Sequence, residues 1–560
     1  MSKVILQKDD PQSIEQFTAD IIELIEELRE ILIDIFQIFY EGRCGGFLKN
    51  AMDHLFDEWL FKNMNPKTSE IIKFIDIEYE SDDLTKIEKR LKSALSEFKK
   101  DEIILEILAN KRKRINLNSF IQDVIFRLFR EKITMFIDQT SIQFVGRYLM
   151  LFVGIDKGAW KPITPTGSVS NVFLHYYWII RNEMYKIVPS IYNLNELDWM
   201  YISDINRQGL EAREIKVIDS NEQQLDKYLS GVYMRLKKYN YSRVNSDLWK
   251  RVYQTILPKE EINRLGFVTT PDEIVDVILD MVKYTIDCPN LCKLKILDPA
   301  CGSGTFLINA LTRLLIHLDT DIECHAVPKR TPEWEKEEKK LEIILKNLIG
   351  IDINPFATFL TTMNLVFMLM DSFSIVHSRN PYFTLHFNIL TNDSLGAEFE
   401  VPTLKGYTNA RRYETIENMR KFTDLLKQEF DLVIGNPPWG IVLKGKLGPL
   451  GDEEKRSEYK ERFDSATGKY DIYVLFMERG IDLLKDGGLL GFITQVMYVS
   501  QDYGEGIQKV IKKSGSIEQF VDIQTLGPYI FPKWTNYPAI TIFKKKGKQK
   551  KVKLIEVKLK

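Results

Sequence analysis

Asp431-Leu432-Val433-Ile434-Gly435-Asn436-Pro437-Pro438-Trp439-Gly440 joins a buried-strand pattern to an abrupt polar stop. Leu432 to Ile434 are large or β-branched apolar residues suited to a central parallel strand, and Gly435 with two prolines ends it. Proline fixes φ and lacks a backbone donor, so Pro437 and Pro438 leave carbonyl acceptors exposed beside the amide oxygen of Asn436. An exocyclic amine on a nucleobase is a poor nucleophile because its lone pair is delocalised into the ring. Two acceptors on its hydrogens pull the nitrogen toward a tetrahedral geometry, and Trp439 offers a stacking face. Asn436, Pro437, Pro438 and Trp439 are therefore the catalytic candidates. The competing reading is a proline-stiffened turn without chemistry, and a methyl-donor site elsewhere in the chain separates the two.

Upstream, Lys295-Ile296-Leu297-Asp298-Pro299-Ala300-Cys301-Gly302-Ser303-Gly304-Thr305-Phe306-Leu307 reads as a strand ending at Asp298, a glycine turn and a helix opening at Thr305. Asp298, Ala300, Gly302, Ser303 and Gly304 are the candidate contacts of a nucleotide-type ligand. The turn lacks the Gly-Lys-Ser/Thr ending of a phosphate-binding loop, which argues against a triphosphate. Leu348-Ile349-Gly350-Ile351-Asp352-Ile353 reads as a second strand ending in an acid that can accept both ribose hydroxyls, with Ile353 beside it. Asp352 follows Asp298 by 54 positions, against a usual interval of about 20, and the excess is assigned to an inserted charged segment from Asp319 to Lys340. At a third strand end, in Asn392-Asp393-Ser394, Asp393 can accept from an adenine amino group. Earlier still, Thr270 as N-cap and Pro271 as N1 predict a helix over Ile274 to Val282 whose free N–H groups hold a polar ligand end. Singly, each piece has an ordinary structural counterpart. Together, strand ends bearing acids followed by the Pro-Pro loop form one ligand edge of an open parallel sheet.

The order of these pieces is similar to that of the adenine-N6 DNA methyltransferases of the gamma arrangement, especially their Eco57I-like restriction-modification branch. Gly266 to Pro271 resembles that family's motif X, Asp298 to Leu307 motif I, Asp352 motif II, Asp393 motif III and Asn436 to Trp439 motif IV. The likeness continues through Thr467 to Tyr473 and Leu484 to Ile493, and Tyr529 to Trp534 followed by Ala539 to Phe543 resembles motif VIII. It covers about residues 245–546. The resemblance implies an α/β Rossmann-like fold, with a mostly parallel sheet and helices on both faces, that uses S-adenosylmethionine as cofactor. It further implies double-stranded DNA as partner and transfer to N6 of an extruded adenine, with Phe531 packing the base opposite Trp439. No protein nucleophile is required, and the chain has no Pro-Cys dipeptide of the kind cytosine-C5 chemistry uses. Two positions depart from the family pattern. Thr269 stands where a tyrosine is common, and the chain past Phe543 holds only Lys544 to Lys560, nine lysines against one acid, where relatives that choose their own site continue into a target recognition domain. A separate specificity subunit is therefore expected. Rival readings are transfer to an RNA amine or a protein glutamine, or a non-catalytic DNA-binding assembly subunit.

With 560 residues, 44% hydrophobic and 28% charged, the chain reads as globular with more than one core. Its net charge of −2 excludes a global basic field, so any nucleic-acid surface is local. Amphipathic spacing from Ile21 to Phe39, then in Ile103 to Leu108, Phe120 to Phe136 and Phe144 to Val153, assigns residues 1–255 to a mainly helical region. Residues 256–546 form the transferase domain and 547–560 a lysine-rich tail, for which fraying is the commoner explanation. Lys111 to Arg114 reads first as a solvated face, and Glu214-Ile215-Lys216 is too frequent a tripeptide to indicate a nuclease. Cys44, Cys288, Cys292, Cys301 and Cys324 are odd in number and scattered, which predicts reduced thiols and no metal site. The opening MSKVILQKDDPQ lacks a signal h-region, no uninterrupted apolar stretch reaches bilayer length, and a cytoplasmic location is expected.

Overall fold

The computed structural model describes residues 4–6, 10–40, 117–160, most of 223–244, 270–320, 331–396, 420–439, 453–531, 537–548 and 552–557. Lys111 to Arg114, Glu214 to Lys216 and Gly266 to Thr269 lie outside the described residues. In the N-terminal region β1 (Val4–Ile5) leads into α1 (Pro11–Tyr40), and α2 (Leu117–Asp156) is followed by β2 (Tyr239–Asn240), which pairs in parallel with β1. α1 buries Ile21, Leu24, Leu28 and Leu32, the face that its three- and four-residue spacing specifies. α2 has no such stripe, because residues 137–154 are buried all round. Enclosure on every side removes the need for a polar face, so stretches expected as separate pieces form one helix.

The transferase half opens with α3 (Asp272–Met281), β3 (Ile296–Asp298), α4 (Thr305–Thr320), α5 (Glu333–Asn347) and β4 (Leu348–Asp352). α6 (Pro355–His377), β5 (Asn388–Thr391), β6 (Phe430–Gly435), α7 (Glu453–Arg462) and α8 (Ile472–Leu483) follow. The last elements are β7 (Leu484–Gln495), α9 (Glu505–Ser514), β8 (Gly515–Asp522), β9 (Pro538–Lys545) and β10 (Lys553–Glu556). Strands β3 to β10 make one sheet in the order β10-β8-β9-β7-β6-β3-β4-β5. Neighbours are parallel except β9, which runs antiparallel to β7 and β8. Alternation along the strands divides the core in two. Leu432, Ile434, Ile540 and Ile542 join the cluster that holds α3, α4 and α6, whereas Val433, Ala539 and Phe543 join the one that holds α8 and α9. The expected mostly parallel sheet with helices on both faces is therefore present. Strand order reverses between β3 and β6, which is where open α/β sheets form a ligand crevice.

In the charged segment from Asp319 to Lys340 the described residues are exposed or half-buried except Lys340, and α5 runs on past the segment to bury Leu341 and Ile344 in the core. Several expectations change. Pro271, not Thr270, occupies the N-cap position of α3, and no side chain caps that helix. Part of the lysine-rich tail is ordered, since β10 adds an edge strand parallel to β8. Among the described residues one helix segment, Phe356–His377, is long and apolar enough by composition to cross a bilayer, yet 72% of its window is buried inside the fold. It serves as a core helix onto which α2 packs: Ser374 donates to the Lys157 carbonyl, Lys157 pairs with Asp371, and the Arg147 guanidinium lies over the Phe359 ring. The helical region and the sheet thus share one buried cluster across residue 255. Cys288 and Cys301 are free thiols as expected, whereas Cys292 is disulfide-bonded.

Leu341→Ala tests the packing of the C-terminal half of α5. It is expected to cost about 2–5 kcal/mol, as loss of a packed leucine does, and to lower the unfolding temperature clearly. An unchanged melting curve would show that this half does not pack in the core.

Candidate active site

The carboxyl ends of β5, β4, β3 and β6 lie side by side, so Asp393, Asp352, Asp298 and Asn436 follow one another along a single rim. Asp298 is 1% exposed, and its Oδ1 accepts from the Ala300 N–H at 3.1 Å. The end of β6 presses on it: a methyl group on Gly435, where φ is +153°, would lie 2.7 Å from Asp298 Oδ1. Glycine alone allows strand and carboxyl to come this close. Burial raises Asp298 to about 8; the Ala300 N–H opposes the rise and the Asp352 charge adds to it.

Asp352 accepts from the Gly302 N–H at 2.9 Å with one oxygen and from the Asn354 N–H at 2.8 Å with the other. Burial raises its pKa against these two donors. The turn between Cys301 and Thr305 is braced from α6. Thr361 donates to the Gly302 carbonyl at 2.8 Å and lies where a Gly304 side chain would go, and Asn364 donates to the Ser303 carbonyl at 3.2 Å. Nothing occupies the space a Gly302 side chain would take. Ile353, 49% exposed, stands next to Asp352 at the same rim. Cys301 is a packed residue: its N–H donates to the Ile351 carbonyl, and burial pushes its thiol up, away from nucleophilic use.

At β5, Asp393 Oδ1 accepts from the Leu395 N–H at 3.0 Å, and the buried Tyr459 hydroxyl donates to Oδ2 at 3.4 Å. Ser394 donates to the Pro299 carbonyl at 2.6 Å, so it ties the β5 end to the turn after β3. Asn436 is held on both sides of its carboxamide. Nδ2 donates to Thr270 Oγ1 at 3.0 Å, and Oδ1 accepts from Trp439 Nε1 at 2.6 Å. Pro437 is buried and Pro438 partly exposed. Trp439 and Phe531 do meet, but edge to face, with ring centroids 5.2 Å apart and planes at 89°. Rings in van der Waals contact leave no slot between them. This is a closed arrangement, not the open sandwich expected from the sequence.

Thr270 lies against Asn436, and Pro271 caps α3 behind it. Thr361, Asn364 and Tyr459 escaped the sequence reading. The first two had a weak signal, since they are among four polar positions, with Thr358 and Thr362, in a largely apolar run. Tyr459 had none, because it comes from a separate helix 66 positions beyond Asp393. Among the described residues no cluster of His, Cys, Asp and Glu suits a metal.

This strand order, the glycine turn after β3 and the acid ending β4 define the class I S-adenosylmethionine-dependent methyltransferase fold, whose cofactor is S-adenosylmethionine. Residues 346–528 match the family model of the Eco57I restriction-modification methylase, so that segment resembles such a methylase domain. Over 347 residues the chain is 27% identical to the type II restriction enzyme and methyltransferase Eco57I of Escherichia coli, a match covering 56% of this chain and 33% of that protein. Over 288 residues it is 25% identical to the adenine-specific methyltransferase PglX of Streptomyces coelicolor, covering 47% of this chain and 22% of that protein. A DrdV–DNA complex solved by cryo-electron microscopy aligns with 98% of this chain and 43% of its own, at 13% identity and a TM-score of 0.49. The matches thus span less than half the length of each of these proteins.

The buried acid has a pH signature. Asp298 keeps its proton to about pH 8 in the folded chain but releases it near 3.9, roughly, when unfolded. Between these values the folded state binds more protons, so its contribution to stability falls as pH rises through the window and levels off above about 8. Melting of the ligand-free protein from pH 5 to 8 is expected to show a steeper decline for wild type than for Asp298→Asn. Equal slopes would show that Asp298 is already ionised.

Proposed function

We propose that this chain transfers a methyl group from S-adenosylmethionine to N6 of adenine in double-stranded DNA, as the modification component of a restriction-modification system. The observation that carries the reading is the position of the Asn436 carboxamide. It follows β6 directly, beside the Asp298 end of β3, so an amine acceptor adjoins an acid-lined nucleotide rim. The adenine-specific designation of PglX agrees with this choice of base.

The cofactor supplies an electrophilic methyl carbon on a sulfonium centre. The residues present suit such a ligand. Each Asp352 oxygen already accepts one backbone N–H and keeps a lone pair for a ribose hydroxyl. Ile353 offers an apolar face to the adenine ring of the cofactor, and Asp393 an acceptor to its amino group. Ala300, Gly302, Ser303 and Gly304 bring backbone close to the ligand, with Pro271 and the first turn of α3 across the crevice. For the target base, Asn436 Oδ1 and the Pro437 carbonyl take the two amine hydrogens and localise the nitrogen lone pair for in-line attack. Both require Trp439 to withdraw its N–H from Asn436 and turn away from Phe531. The freed indole then stacks on the base, which offsets part of the few kcal/mol lost on unstacking it from the duplex.

Asn436→Ala is expected to bind cofactor as wild type does while transfer falls at least about 100-fold. Asp352→Ala is expected to weaken cofactor binding about tenfold to a hundredfold, as loss of charge-assisted hydrogen bonds does. Calorimetry with the cofactor and radiolabel transfer to duplex DNA check both. Mapping methylated adenines in cells with and without the Asn436 codon tests the substrate. Label appearing in RNA or protein in place of DNA would overturn the assignment.

A further inference from the structure

We infer that Thr270 is a positioning residue for Asn436: its hydroxyl fixes which end of the carboxamide faces the substrate amine. The inference rests on the function proposed above and assigns Thr270 to the catalytic loop in place of the cofactor. A carboxamide has two ends of opposite hydrogen-bonding character, and only the oxygen can serve an amine that must lose electron density from its N–H bonds. Rotation by 180° about the last side-chain bond would present an NH2 group to an NH2 group. Something must set the rotamer.

In the closed site two groups set it. The indole Nε1 of Trp439 is a donor only, so the atom it meets at 2.6 Å is the oxygen, and the nitrogen is thereby directed to Thr270 Oγ1 at 3.0 Å. Withdrawal of Trp439 to admit a base removes the first constraint. Among the described residues the Thr270 hydroxyl is then the one remaining partner of the Asn436 carboxamide. It is well placed to act as a fixed point. Thr270 is 6% exposed, and it precedes α3, whose Ile278 and Val282 pack over Gly491 of β7. Its side chain has no capping duty, since Pro271 occupies the N-cap position and no side chain caps α3.

The test uses the full-length chain with Thr270→Val, which keeps the shape and removes the hydroxyl, and Thr270→Ser, which keeps the hydroxyl. Methyl transfer to duplex DNA gives kcat, and calorimetry with S-adenosylmethionine gives cofactor affinity. Thr270→Val is expected to lose about 10- to 100-fold in kcat, the scale of a misplaced reacting group, with cofactor affinity within about twofold of wild type; Thr270→Ser is expected to restore most of the rate. Weaker cofactor binding at unchanged kcat would overturn the inference and make Thr270 a cofactor contact. Equal loss in both variants would also overturn it, because a merely structural role ignores the hydroxyl. If Asn436→Ala turned over like wild type, or wild type gave no transfer, the functional reading itself would fail. The inference would then be decided by crystal structures of Trp439→Phe and of Trp439→Phe combined with Thr270→Val, and an Asn436 carboxamide equally placed in both would end it.

Discussion

Parallel pairing of β3 with β6 is the contact on which the rest depends. Ile296 pairs with Leu432 and Leu297 with Val433, and this register carries Asp298 and Gly435 to the same rim. Asp431 reinforces the register from the opposite end of β6, accepting from the Lys295 N–H at 2.9 Å while its own N–H donates to the Lys295 carbonyl. A one-residue slip would exchange Leu432 and Ile434 for Val433 between the two cores, so burial on both faces fixes the pairing tightly. The cofactor half and the catalytic loop are set against each other by the sheet itself, without a flexible joint.

That rigidity makes the closed state of the catalytic loop informative. Asn436 sits on a fixed strand end, yet its acceptor oxygen is taken by Trp439 and the aromatic pair is in contact. An unpaired carboxamide oxygen in a partly buried site would cost about 1–3 kcal/mol, and the indole N–H meets that need while no substrate is present. On the proposed function, binding of a base would exchange one satisfied arrangement for another. Tryptophan differs here from the other aromatic residues able to stack on a base. Phenylalanine has no donor, whereas the indole places its N–H on the ring edge that reaches Asn436.

The parts legible in the sequence are those where one residue type both ends a strand and supplies chemistry. Asp298, Asp352, Asp393 and the Asn436-Pro437-Pro438 stop each close an apolar run, so the rim of β5, β4, β3 and β6 could be read from local pattern alone. What escaped depends on partners far apart in the chain. Thr270 reaches Asn436 across 166 positions, and Ser394 reaches Pro299 across 95. In α5 the glutamates and lysines up to Lys340 lie mostly exposed or half-buried, as a charged segment does, and the helix turns inward only past them at Leu341 and Ile344. The tail did mislead, since its lysines hid the short apolar segment that becomes β10.

The buried acids explain why this rim suits a cationic cofactor. Asp298 and Asp352 are desolvated, both are pushed upward in pKa by burial first, and the Asp352 charge adds to the rise at Asp298. Backbone N–H groups partly offset the cost for each carboxyl, but among the described residues no Lys or Arg side chain is placed against Asp298. A buried carboxyl left without a cation keeps its proton, whereas a positive charge brought alongside draws that proton off and is held more tightly for it. A lysine or arginine in that position would settle the acids and repel a sulfonium. On the proposed function, a rim lined by such acids would favour a positively charged ligand over a neutral nucleoside of the same shape.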